Sequence, residues 1–165
     1  MLEFGGENIE INENSRLAPF LLSLSDDQNL TLRVVIAFPK DGEVGTDLES
    51  FPESLRAKVK DLLDKSVPVC ADMNQVYEIV FEHYILYQMR NESYTSWDEY
   101  EVRKGRYLIV FDRSRLLDYY EDVIFDFDSE ETRKTQRKHY GIYTENHILD
   151  IISNELPKIR KITLD

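Results

Sequence analysis

The chain has 165 residues, 42% of them hydrophobic and 32% charged, and a formal net charge of −12 from 32 acidic and 20 basic side chains. Folding at this length buries roughly 70% of the unfolded surface, enough for one core without staples, so the composition excludes a disordered chain. An acidic excess spread over both halves repels phosphate backbones and anionic lipid, which disfavours nucleic acid and membrane surfaces as partners.

Arg16 to Leu24 is predicted as a short helix, with Ser15 as N-cap and Pro19 in the first turn. Leu30 to Phe38 is rich in β-branched residues and predicts a strand stopped by Pro39 and the Asp41-Gly42 turn. Ser50 to Lys65 predicts a helix: Pro52 suits a first turn, and Leu55, Val59, Leu62 and Leu63 form one apolar stripe. Val67-Pro68 ends it, and tyrosine usage begins beyond this point.

Val76 to Met89 alternates with period 2. Tyr77, Ile79, Phe81, His83, Ile85, Tyr87 and Met89 share one face, which predicts a single long strand. A helix over the same run would use Met73, Tyr77, Val80, Tyr84 and Tyr87 as its stripe. Tyr94, Trp97 and Tyr100 then recur every three residues, as on one face of a short helix capped by Thr95 or Ser96. Arg106 to Asp112 predicts a strand entered through the turn Arg103-Lys104-Gly105. Ser114 reads as the N-cap of a helix to about Val123, with Leu116, Leu117 and Tyr120 facing inward.

Asp126 to Lys138 is charged loop. Tyr140 to Thr144 and Ile148 to Ile152 are β-prone and read as one bent strand, and Pro157 to Leu164 is a last short element. Strands follow strands without regular β-α-β alternation. The expected fold is α+β, a mostly antiparallel sheet flanked by two or three helices, in a single globular domain spanning 1–165. An N-terminal subdomain of residues 1–67 is the alternative division.

All ten tyrosines, the one tryptophan and the three histidines lie between Tyr77 and His147. Side chains that are both apolar and hydrogen-bonding are common on recognition surfaces. Tyr84, Tyr87, Arg90, Glu92, Tyr94, Trp97 and Tyr100 are therefore the candidate binding residues. The run Tyr87-Gln88-Met89-Arg90-Asn91-Glu92-Ser93-Tyr94, with Trp97-Asp98 and Tyr100-Glu101, resembles small bacterial proteins of unassigned function. So do Ser114-x-x-Leu117-Asp118-Tyr119 and His139-Tyr140 with His147-x-x-Asp150. The resemblance spans roughly residues 75–162, implies a bacterial origin and brings no activity with it.

Chemistry-bearing patterns are sparse. Glu145 and His147 would point the same way on a strand, with Asp150 three residues on. A carboxylate that orients an imidazole is the basis of acid–base catalysis, so His147, Glu145 and Asp150 are the catalytic candidates. His83, set in an apolar alternation, reads as a core histidine. The spacing of His139 and His147 matches no metal pattern, no glycine-rich loop cradles phosphate, and Cys70, the only cysteine, has no basic neighbour to activate it. No metal or cofactor is expected.

The N-terminus lacks a basic and apolar leader, and no apolar run approaches the roughly 20 residues of a membrane helix, so the expected location is the cytosol. Two functions remain open. One is a non-enzymatic protein-binding module using the aromatic face over residues 84–100, for instance an immunity- or antitoxin-like inhibitor of a basic partner. The other is a small hydrolase or transferase with a site near Arg90, Glu92 and His147.

Overall fold

The computed structural model of the protein describes residues 1–8, 17–42, 48–65, 68–123 and 137–164. Among them nine strands and two α-helices follow in order. These are β1 (Phe20–Asp26), β2 (Leu32–Asp41), α1 (Glu53–Asp64), β3 (Val69–Phe81), β4 (Leu86–Asn91), β5 (Val102–Lys104), β6 (Leu108–Arg113), α2 (Arg115–Val123), β7 (Lys138–Tyr143), β8 (His147–Ser153) and β9 (Lys158–Ile162). The first sheet has the order β1-β2-β3-β9 and the second β4-β8-β7-β6-β5. Every pairing is antiparallel. The content is mixed α and β, as expected, but the strands dominate, and they form two sheets rather than one.

The sheets meet through one core. Val34, Ile36 and Phe38 of β2 and Ile79 and Phe81 of β3 join Leu108 of β6, Tyr140 and Ile142 of β7, and Leu149 and Ile151 of β8. Burying each such aliphatic or aromatic side chain contributes roughly 1.5–3 kcal/mol. The N-terminal segment closes one side: Phe4 packs edge-on against Tyr140 and Phe81, at 5.0 and 5.9 Å between ring centroids. Gly5 N–H donates to Leu108 O at 2.8 Å.

Gly105, at φ +91, lets this segment approach; a Cβ there would lie 2.4 Å from Leu108 O and 2.9 Å from Gly5 Cα. Gly105→Ala is expected to destabilise the fold by about 1–3 kcal/mol, read as a lower urea midpoint at unchanged slope. An unchanged midpoint would contradict the close approach.

Several elements differ from the sequence reading. The predicted helix at 16–24 is strand β1 from Phe20 on. A bulge between Leu21 and Ser23 leaves Leu22 at the surface and turns both Leu21 and Leu24 toward the core. An inward spacing of three imitates a helix. β2 runs through Pro39 to Asp41, because β1 pairs it only as far as Ala37 and the missing N–H of proline breaks no ladder on that side.

The long strand at 76–89 is two strands, one in each sheet. The chain turns at Glu82 and His83, and His83 is exposed at φ +54 rather than in the core. The 140–152 segment is a hairpin rather than one bent strand: Tyr143 pairs with Ile148, and the Thr144 hydroxyl donates to His147 O at 2.7 Å. Arg103 and Lys104, read as a turn, form β5.

Helix α1 lies where expected, but Leu55 and Leu62 of its apolar stripe are exposed. Ser114 caps α2 as expected, its Oγ accepting Leu117 N–H at 3.2 Å; Tyr120 is buried, with Leu116 and Leu117 half-buried. The short last element is β9, which pairs with β3. Most of the predicted 126–138 loop lies outside the described residues.

Candidate functional site

The second sheet has an inner face on the core and an outer face. The ladder registers put Gln88 and Arg90 of β4, Asp150 of β8, and His139 and Tyr143 of β7 on the outer face. Helix α2 packs on β7. The connection from β4 to β5 joins opposite edges of the same sheet.

That connection was read as a short helix over Tyr94, Trp97 and Tyr100. Only Glu92–Tyr94 is helical, as one 3-10 turn. The reason is competition from side chains. Asn91 Oδ1 accepts Ser93 N–H at 2.9 Å, and Asp98 Oδ1 accepts Tyr100 N–H at 2.9 Å. Such local bonds offer the backbone an alternative to helix. Asp98 Oδ2 also accepts Arg115 Nε–H at 2.9 Å, which ties the connection to α2 and holds the Asp98 carboxyl below its ordinary range. The rings therefore share no face. Tyr100 lies under the guanidinium groups of Arg115 and Arg113, at 4.1 and 4.6 Å. Tyr94 and Trp97 are 87% and 73% exposed, with Arg103 4.7 Å from the Trp97 ring.

Under this crossing lies a buried polar chain. Ser114 Oγ is 2.8 Å from His139 Nδ1, and His139 Nε2 is 3.0 Å from Asp150 Oδ1. Asp150 Oδ2 accepts from Gln88 Nε2 at 3.2 Å and lies 3.4 Å from Arg90 Nε. Ser114, His139 and Asp150 are all at most 2% exposed, and the imidazole stacks on Phe111 at 4.0 Å. Burial pushes the Asp150 carboxyl up. The hydrogen bond and charge of His139, the charge of Arg90 and the bond from Gln88 together outweigh that and leave it below its ordinary value. An ionised Asp150 accepts only, so it takes Nε2–H, and Nδ1 pairs with the Ser114 hydroxyl.

The three residue types match a nucleophilic triad, but the roles do not. Ser114 Oγ has no exposure and already accepts the helix N–H of Leu117. A nucleophile must present its oxygen to a substrate, so the chain is a structural tie.

A cleft of about 550 Å³ opens above it. Gln88, Arg90, His139 and Asp150 line it from the strands, Arg115, Leu116 and Tyr119 from α2, and Glu101 from the crossing.

The catalytic candidates are not brought together. Asn91 pairs with His147 and Arg90 with Ile148, so Arg90 and His147 point to opposite faces of the sheet. The hydrolase or transferase site near Arg90, Glu92 and His147 is not assembled. Glu145 is exposed in the β7–β8 turn and Glu92 starts the 3-10 turn. Asp150 alone meets Arg90, and its imidazole is that of His139. Tyr84 and Tyr87 form an edge-on pair at 5.1 Å packed against the core. The bond from Tyr84 to Asp26 Oδ2, at 2.6 Å, pushes the phenol up to about 12.

Ser114, Gln88, His139 and Arg115 were not site candidates from sequence. The signal in the sequence was Asp150, a carboxylate set inside the apolar run Ile148 to Ile152. Among the described residues no three of His, Cys, Asp and Glu group as metal ligands, and no helix is long and apolar enough to cross a membrane. No family model, curated protein or solved structure matches the chain.

Proposed function

We propose that this protein is a non-enzymatic, cytoplasmic protein-binding module of one domain, and that Tyr94 and Trp97 are its contact anchors. The observation that carries this reading is an exposed indole on a connection tied down at both ends. Trp97 is 73% exposed, yet its neighbours are fixed by the Asn91, Asp98 and Arg103 contacts. A large ring carried on a backbone already tied by such bonds leaves less to order on association, and Trp and Tyr are among the residues that most often dominate an interface.

The net charge of −12 favours a protein over nucleic acid or an anionic membrane as partner. The immunity- or antitoxin-like version with a basic partner needs a contiguous acidic patch beside the rings. Trp97 adjoins Arg103 instead, and Arg113 and Arg115 lie over Tyr100 of the same connection, so the partner we propose presents neutral or acidic groups at this face.

The test is affinity capture from lysate with the wild type and a Tyr94→Ala/Trp97→Ala variant. Loss of an anchoring ring weakens binding by roughly 30-fold or more. A protein retained by the wild type and lost from the variant supports the reading. Identical captured sets, at equal variant stability, overturn it.

A further inference from the structure

The geometry points to a second site: the cleft on the outer face of the second sheet binds a small apolar molecule that carries a single carboxylate. Its volume, about 550 Å³, is that of a small-ligand pocket. Two guanidinium groups enter it from different elements, Arg90 from edge strand β4 and Arg115 from the first turn of α2.

Each is oriented before any ligand arrives. Arg90 Nε faces Asp150 Oδ2 at 3.4 Å, while Arg115 Nε donates to Asp98 at 2.9 Å with its plane over Tyr100. Among the described residues both contacts run through Nε, which leaves the terminal amino groups of the two forks for a ligand, and a planar carboxylate matches that fork in bidentate fashion.

The rest of the lining selects the class. Leu86, Leu116 and Tyr119 supply apolar surface for a hydrocarbon or aromatic body. Glu101 adds a fixed negative charge to the wall, and the carboxylate of Asp150 lies in the floor. Asp98, Asp150 and Glu101 set three carboxylates against the two guanidinium groups, so a second negative charge on the ligand is resisted more strongly than the first. A monocarboxylate therefore fits better than a phosphate dianion.

The experiment is isothermal titration of the wild type with benzoate, benzamide and inorganic phosphate, with amide NMR shifts to locate binding. Benzoate is expected to bind one-to-one at a roughly millimolar Kd or tighter. Benzamide, the neutral isostere, and phosphate are each expected to bind at least about tenfold more weakly. Shifts should centre on β4 and the start of α2. Arg90→Gln and Arg115→Lys should each weaken benzoate about tenfold, the second because lysine keeps the charge and loses the fork. Equal affinity for benzoate and benzamide, phosphate as tight as benzoate, no benzoate binding, or shifts elsewhere would each overturn the assignment. The benzamide and phosphate arms need no variant.

Discussion

Asp150→Ala is expected to destabilise the protein by about 3–5 kcal/mol at pH 7, because it breaks a buried charged network by removing its central acceptor. His139 Nε2 and Gln88 Nε2 both lose their partner, and Arg90 loses the carboxylate it faces. For a chain of this length the loss corresponds to roughly 10 °C in Tm. Asp150→Asn keeps the shape and one acceptor oxygen, and it should cost less.

The effect depends on pH in a stated direction. The folded-state pKa of Asp150 lies below its unfolded value near 3.8. Its contribution is therefore complete above about pH 4 and is lost as the pH falls through the folded value. Urea unfolding of wild type and Asp150→Ala should show a difference that is largest near neutrality and narrows in acid. A cost under about 1 kcal/mol, or a difference that widens below pH 4, would show that the network contributes little.

Phe81→Ala should have a comparable cost, about 3–5 kcal/mol, by a different route. Phe81 is 1% exposed at the end of β3, and its ring lies 5.5 Å from that of Tyr140, on the opposite sheet. The substitution removes ring surface and leaves a cavity between the sheets. Because this term contains no ionisable group, it should be flat with pH, unlike that of Asp150. Leu62→Ala is the control: Leu62 is 66% exposed on α1 and should change stability by no more than about 0.5 kcal/mol. Equal losses for Phe81→Ala and Leu62→Ala would contradict the position of the core.

The strands that were legible are those whose two faces differ plainly. Tyr77, Ile79 and Phe81 read correctly as one set, since a half-buried strand writes a period of two into its own residues. Strand β1 was misread because a single bulge changes that period to three. The break at His83 left no trace: neither Gly nor Pro marks it, and a histidine takes the left-handed conformation. Tyr87 nevertheless keeps the inward phase of Phe81 across the turn, so a local reading saw one continuous strand.

The ring-rich connection was legible as a region and not as a shape. Asn91 and Asp98 carry side chains that bond their own backbone two residues on, and such bonds set the path only where no helix is formed to exclude them.

What the sequence determined by itself is local: the inward phase of Tyr77, Ile79 and Phe81, the Ser114 cap that starts α2, and the acidic balance of the whole. Which polar residues meet was decided by tertiary structure alone. Gln88 reaches Asp150 across 62 positions and Ser114 reaches His139 across 25. A shift of one residue in the β4–β8 register would send Gln88 to the opposite face from Asp150. Alternation is a property of one strand, whereas register belongs to two strands and the core that locks them.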